Sequence, residues 1–202
     1  MALPPPLRRW WLRRRHGDGP WAALLAAPPA GERVVLDLET TGLDPASDHI
    51  LSLAAVPLRG RVLRVSERFT RRIRPERGFG IDSIRHHGIL PAEAAGGAPV
   101  RAAVREFLAW LGPRDLLGYR LDFDLAMLAP HVRAITGFDL PNRRLDLAER
   151  WARRCRRQQP EVPVDQGFDH IASCLGVPVL DRHSALGDAV TTGACWLAMD
   201  AG

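Results

Sequence analysis

A chain of 202 residues has the size of one globular domain with a short appendage. Its 46% hydrophobic and 25% charged content suits a chain that buries a core, which excludes wholesale disorder, a collagen-like repeat and a disulfide-stapled miniprotein. The net charge of +5 points only weakly to an anionic partner, because all 28 basic residues are arginine and Asn142 is the single asparagine, a bias that fits GC-rich coding.

Residues 1–30 differ from the rest. They hold Pro4-Pro5-Pro6, five arginines, three tryptophans and Pro28-Pro29, and are expected to form a partly helical, partly extended arm that packs on the body or docks elsewhere. The start alternates arginine clusters with Trp10, Trp11 and Leu12, and lacks the apolar stretch of a secretory signal. No run of about 18 apolar residues exists, so no membrane span is expected. Cys155, Cys174 and Cys195 are odd in number, far apart and without a C-x-x-C pair. Neither a disulfide framework nor a zinc site is expected, and a reducing, cytoplasmic setting fits.

From Arg33 the pattern becomes that of a body, residues 31–202. Val34-Val35-Leu36 running into Asp37-Leu38-Glu39 reads as a buried strand ending in carboxylates. Ile50 to Val56 reads as a second strand ended by Pro57, and Arg61 to Ile73 as a third, joined through a turn at Arg59-Gly60. Apolar residues at 100, 104, 107, 108 and 111 have helical spacing. Leu116 to Tyr119 reads as a short buried strand, Asp124 to Ile135 as a helix interrupted near Pro130, and Leu145 to Leu147 as a short strand before a helix through Cys155. Phe168–Leu175 and Ser184–Met199 complete the helices. The order predicts an α/β fold, a mixed central sheet of about five strands with flanking helices.

Three segments carry chemistry. On a strand, Asp37 and Glu39 project to the same side, and two buried carboxylates held together repel unless a cation lies between them. Such a pair suits a hard cation, magnesium or manganese; acids capping a turn at a strand end are the plainer explanation of Asp-x-Glu alone. Thr40-Thr41-Gly42-Leu43 then offers hydroxyls, backbone amides and an apolar side chain beside the pair. Phe123-Asp124 stands at a helix start, where Asp122 is an equally good cap. His183 lies just before the last helix and Asp188 about one turn inside it, which puts His183 on a loop over a site that Asp188 faces.

Together, four carboxylates and one histidine in this order resemble the DEDDh branch of the DnaQ-like 3′–5′ exonucleases, the group of the DNA polymerase III epsilon subunit. The resemblance covers about residues 31–200, through Asp37-x-Glu39-Thr-Thr-Gly-Leu, Phe123-Asp124 and His183-x-Ala-Leu-x-Asp188-Ala; Ile84 to Ile89 also looks like the group's His-Gly-Ile element. It implies a ribonuclease H-like fold. It implies two divalent cations, Mg2+ or Mn2+, about 3.5–4 Å apart and held by Asp37, Glu39, Asp124 and Asp188, with His183 as general base. Thr40, Thr41, Gly42 and Leu43 would meet the terminal nucleotide, with His87, Tyr119 and Phe79 as weaker candidates for the cleft. Where members commonly carry His-Asn, this chain has Tyr119-Arg120, a pair that would line the substrate channel with Arg120 placed to contact a phosphate, which puts substrate preference in doubt. The implied partners are 3′ ends of single-stranded DNA or short RNA, with a DNA polymerase or a second copy as further partners. The chain ends at Gly202 just after its last helix, so the polymerase-binding tail of epsilon-type subunits is expected to be lacking. The alternative is a binding or polymerase-accessory module that kept the fold and lost turnover; retention of all five motif residues argues against it.

Charge is uneven along the chain. Residues 31–58 carry −4 and 158–202 carry −5, and these hold the first and third motifs. Residues 59–77 carry +6 and 143–157 carry +5, the latter with seven arginines in fifteen residues. A basic helix of that kind could track phosphates, or could be a solvated face enriched by coding bias.

Overall fold

The computed structural model describes residues 5–200; Pro4 and the terminal Gly202 lie outside the described residues. Alternation sets the sheet. In β1 (Glu32–Thr40), Val34, Leu36 and Leu38 enter one buried cluster and Val35 enters a second on the other face, where Asp37 and Glu39 follow it. Strand β2 (Ile50–Arg59) pairs antiparallel with β1, with β3 (Val62–Leu63) at one end and with β4 (Phe69–Arg74) at the other. Strand β5 (Ala98–Pro99) runs parallel to β4, β6 (Asp115–Gly118) parallel to β1, and β7 (Arg144–Asp146) parallel to β6. The order is β5-β4-β2-β1-β6-β7, so the motif-bearing strand is central and the sheet is mixed, as expected.

The sheet has seven strands rather than about five, because β3 and β5 are two-residue ladders too short to leave a period. Pro57 does not end the second strand. Its carbonyl accepts from Arg64 N–H on the outer side, so its own nitrogen faces the same side, where β2 changes partner from β4 to β3 and no donor is needed. The stretch Arg61–Ile73 is broken by a 3-10 turn at Val65–Glu67, so it forms two strands.

Helix α1 (Pro5–His16) belongs to the N-terminal arm, and it packs: Leu12 joins the same cluster as Leu24 and Leu25, while Trp10 and Trp11 stay exposed. Each such leucine contributes roughly 1.5–3 kcal/mol by leaving water. Arg9 Nη1 donates to the Ala26 carbonyl at 2.9 Å. Helices α2 (Ile81–His87) and α3 (Pro91–Ala95) were not anticipated from the sequence; both are too short for a helical period to show. Helix α4 (Val100–Leu111) has the predicted bounds, and Val104, Phe107, Leu108 and Leu111 are buried. Helix α5 (Leu121–Thr136) runs through Pro130 unbroken, since buried Met127, Leu128 and Val132 hold both sides of the lost hydrogen bond on the sheet. These two helices cover one face. Helices α6 (Leu147–Gln158), α7 (Phe168–Cys174) and α8 (Ala185–Met199) cover the other, through Trp151, Ile171, Ala189 and Trp196. Among the described residues no helix is long and apolar enough to cross a membrane.

Candidate active site

The end of β1 is where the site is built. Its register with β2 shifts between Glu39 and Thr40, a local irregularity that ends the regular ladder just past the acids. The turn that follows is tight. Thr41 Oγ1 donates to Asp48 Oδ1 at 2.8 Å and accepts from His49 N–H at 2.9 Å, and Thr40 Oγ1 donates to the Gly42 carbonyl at 2.7 Å. A Cβ on Gly42 would stand 2.5 Å from the Asp48 carboxylate, so a side chain there would displace that carboxylate from Thr41 Oγ1 and the Asp44 N–H. Both threonine hydroxyls are thus engaged in the turn, while Leu43 is 84% exposed beside it.

Asp124 enters from α5. Gly118 lets this helix start close to β1, since a Cβ there would lie 2.8 Å from Leu121 and 3.2 Å from the Leu36 carbonyl. Arg120 takes the left-handed conformation at the N-cap, φ 51, and Asp146 Oδ2 accepts the freed Leu121 N–H at 2.8 Å. The two acids of this turn then separate. Asp122 is exposed and pairs with Arg144, whereas Asp124 is buried at 4% exposure against β1.

The third segment is a loop laid over the start of α8. Asp181 and His183 both have positive φ, 42 and 65, and Ser184 caps the helix by accepting from Gly187 N–H at 3.0 Å. Gly187 permits this: a Cβ there would meet the carbonyl oxygens of Leu180 and Asp181 at 2.2 and 2.5 Å. His183 N–H donates to Asp188 Oδ2 at 3.3 Å, and the His183 side of the loop lines a cavity that Glu39 also lines.

Ligating oxygens of Asp37, Glu39 and Asp188 lie within 4.8 Å of one another. Asp124 is outside that group of three, yet its charge is the largest of those acting on Asp37. Burial first, then the charges of Asp124, Glu39 and Asp188, push Asp37 well above the usual carboxylate range. Burial and Asp188 push Glu39 up to about 8. Burial raises Asp124 too, against backbone hydrogen bonds from its own residue and Leu38. Asp188 is raised by burial and partly relieved by Arg182, whose Nη1 stands 2.5 Å from Asp188 Oδ2 while its Nε reaches Asp169 at 3.2 Å. Asp188 Oδ1 is buried without a hydrogen-bond partner among the described residues. An all-oxygen donor set, mutual repulsion and an orphaned ligand atom fit a hard divalent cation.

Of the remaining candidates His87 lines the cavity with Glu39 and His183, and Phe79, Tyr119 and Arg120 do not. His87 Nδ1 accepts from Ile89 N–H at 3.0 Å, so Nε2 carries the proton toward Ser83 Oγ, 2.6 Å away, which donates on to the Thr40 carbonyl at 3.3 Å. His87 therefore ties α2 to the end of β1, and it also lines the cavity. Phe79 packs against the His87 ring at 6.0 Å. Tyr119 stands edge-on to Phe168 at 5.0 Å and donates to the Gln166 carbonyl, and the Arg120 guanidinium lies 5.6 Å over the Tyr119 ring. Sequence reasoning missed Asp146 and Arg182. Adjacency to His183 was the one signal for Arg182; nothing local marked Asp146, which also caps α6.

A mixed α/β sheet with carboxylates gathered at the end of its central strand is the build of a nuclease of the ribonuclease H-like kind. The sequence pattern of the exonuclease family, the RNase_T group, matches residues 34–195. The chain belongs to that family. It is 26% identical over 164 residues to the PolC-type DNA polymerase III of Thermotoga maritima, covering 81% of this chain and 11% of that one. It is 26% identical over 169 residues to the DNA polymerase III epsilon subunit of Aquifex aeolicus, covering 83% of this chain and 79% of that one. Exonuclease I of E. coli, in complex with a dT13 oligonucleotide, has the same fold: TM-score 0.69 at 20% identity over 83% of this chain and 40% of that one.

Proposed function

We propose that this chain is a metal-dependent 3′–5′ exonuclease that removes nucleoside 5′-monophosphates from single-stranded DNA or short RNA ends. The observation that carries the reading is the convergence of Asp37, Glu39 and Asp188, with Asp124 behind them and His183 on the shared cavity, in a chain of the exonuclease family. Asp37, Glu39, Asp124 and Asp188 would hold two divalent cations, Mg2+ or Mn2+, which when bound supply positive charge to the scissile phosphate and lower the pKa of a bound water. The imidazole of His183 would act as the general base that takes the proton from the attacking water. Asp188 holds the His183 backbone N–H and so fixes the loop that carries the base. Leu43, exposed beside the acids, packs on the terminal base or sugar.

DNA is the favoured polymer, since the epsilon and PolC relatives are DNA polymerase components. A polymerase is the corresponding partner. The test is a 5′-labelled oligonucleotide incubated with Mg2+, Mn2+ or EDTA, as single-stranded DNA, duplex DNA and RNA at fixed salt. A ladder shortening from the 3′ end with metal and none with EDTA is expected. No shortening with either metal would reduce the chain to a binding module.

A further inference from the structure

The sheet face that carries Asp37 and Glu39 continues across two more strands. Register sets Glu39 opposite Ser52 and Ser52 opposite Arg72; the next row is Asp37, Ala54 and Thr70. Residues opposite one another in antiparallel strands project to the same face. At about 4.8 Å per strand, the Arg72 backbone lies roughly 10 Å from that of Glu39. Further along the same face β2 carries Val56 and Leu58, buried in the cluster that α8 shares. Over Ser52 and Ala54 that filling stops. A cavity of about 370 Å³ remains, with Glu39 and His183 on one side and Arg68 and Arg72 on the other. A strand that needed only to seat a helix would keep large apolar residues in these rows. Here the floor is small and the far wall is cationic.

The arginines on β4 and just before it are held to different degrees. Arg71 also lines the cavity, but its guanidinium is engaged: Nε donates to Glu106 at 2.7 Å and Nη1 to the Thr70 carbonyl at 2.8 Å. Arg72 has a long ion pair, 3.8 Å to Glu93 Oε2, an oxygen that also accepts from Leu90 N–H at 3.1 Å. Arg68 Nη1 donates to the Val65 carbonyl of its own turn at 3.2 Å. A guanidinium with spare donors, facing a cleft whose other wall is acidic, is suited to the non-bridging oxygens of a phosphodiester.

We propose that Arg72, seconded by Arg68, binds the phosphodiester next to the scissile bond and so holds the strand across the cleft. This rests on the exonuclease reading above and adds a residue to it. The contact is to the backbone, so it is independent of base sequence. Glu93 competes with it.

Two readouts test the assignment. One is kcat/KM on a 5′-labelled oligo(dT) with Mg2+ from 50 to 300 mM NaCl. The other is fluorescence anisotropy of the same oligonucleotide in EDTA, which needs no turnover. Losing one phosphate contact flattens the log–log salt slope by about 0.7 for a single strand, or about fivefold in affinity at 0.1 M salt. Arg72→Gln is expected to raise KM by that factor with kcat within twofold and the melting temperature unchanged. Arg72→Lys should restore the slope, and Glu93→Gln should lower KM. Arg101→Gln, on α4 behind the sheet, removes the same charge and should change neither readout. If Arg72→Gln matches wild type in KM and slope, or if Arg101→Gln shifts them equally, the assignment is overturned while the exonuclease reading stands. If wild type does not cleave, the exonuclease reading fails, and anisotropy curves for Arg72→Gln that overlay wild type overturn the assignment independently.

Discussion

The two ends of α8 treat charge in opposite ways. At its N-terminal end Asp188 meets Asp37 and Glu39, with Asp124 close behind and Arg182 the cation against them. At its C-terminal end Arg150 lies 4.2 Å over the Trp196 ring and pairs with Asp200, and Arg154 donates to the Met199 carbonyl at 3.1 Å. Acids near a helix start and cations near its end both suit the helix dipole, so the dipole does not distinguish them. Balance does. At the far end Arg150 is met by Asp200 and Arg154 by a backbone carbonyl, with no like charges crowded together, while at the acid centre four carboxylates face one guanidinium among the described residues. Unbalanced buried charge is costly to keep, and such charge clusters at functional sites. The same contrast bears on the basic helix. In the +5 segment Arg150 and Arg154 hold α8, Arg144 pairs with Asp122 and Arg153 with Glu149, whereas Arg68 and Arg72 in the +6 segment line the cleft.

The comparison breaks most sharply at Asp37. Asp37→Asn should lower nuclease activity on the order of 10³-fold or more, the cost of several kcal/mol of lost charge stabilisation. The same change should raise the melting temperature in EDTA at neutral pH and above, since the folded chain no longer has to protonate or ionise that buried carboxylate. A loss of stability instead would mean that the carboxylates are already balanced. His183→Ala should cost about 10²–10⁴-fold in kcat, the usual weight of a general base, with Mn2+ affinity retained because the backbone N–H to Asp188 survives. Equal losses in rate and metal affinity would make His183 a structural residue.

Titration offers a third test. Glu39, pushed up to about 8, binds a proton in the folded chain that it has lost in the unfolded chain above its ordinary range near 4.5. The metal-free protein is therefore most favoured below that range and should lose stability as pH rises from about 5 through about 8. Thermal melts in EDTA should fall over that window, and Mn2+ should restore more stability at pH 8 than at pH 6. A flat profile would contradict the crowded-acid picture. The smallest effect belongs to the matched end. Arg150→Ala should cost about 1 kcal/mol, or about 2–4 °C in Tm, and leave kcat/KM at its wild-type value. A large loss of activity there would erase the contrast between the two ends.

Much of this was legible in the sequence. Asp37 and Glu39 announce themselves by strand alternation, and the α4 helix by its apolar spacing, because both signals live within a few residues. As helix caps Asp122 and Asp124 are equivalent, and the family resemblance alone chose Asp124; packing against β1 sends it inward and leaves Asp122 with Arg144. Leu24 and Leu25 lie in the arm of residues 1–30 and join the core, so the arm packs on the body, one of the two arrangements its composition allows. Arg72 was one arginine among many. What singles it out is the row Glu39–Ser52–Arg72, and a row across three strands depends on register, which no local window contains.

The central claim is that the acid end of α8 is short of positive charge and takes divalent cations. Calorimetric titration of Mn2+ into the metal-free protein at pH 7, in two buffers of different ionisation enthalpy, tests it directly. Binding with net release of protons is predicted, lost in Asp37→Asn and unchanged in Arg150→Ala. Absence of binding, or binding that survives Asp37→Asn with no proton release, would contradict it.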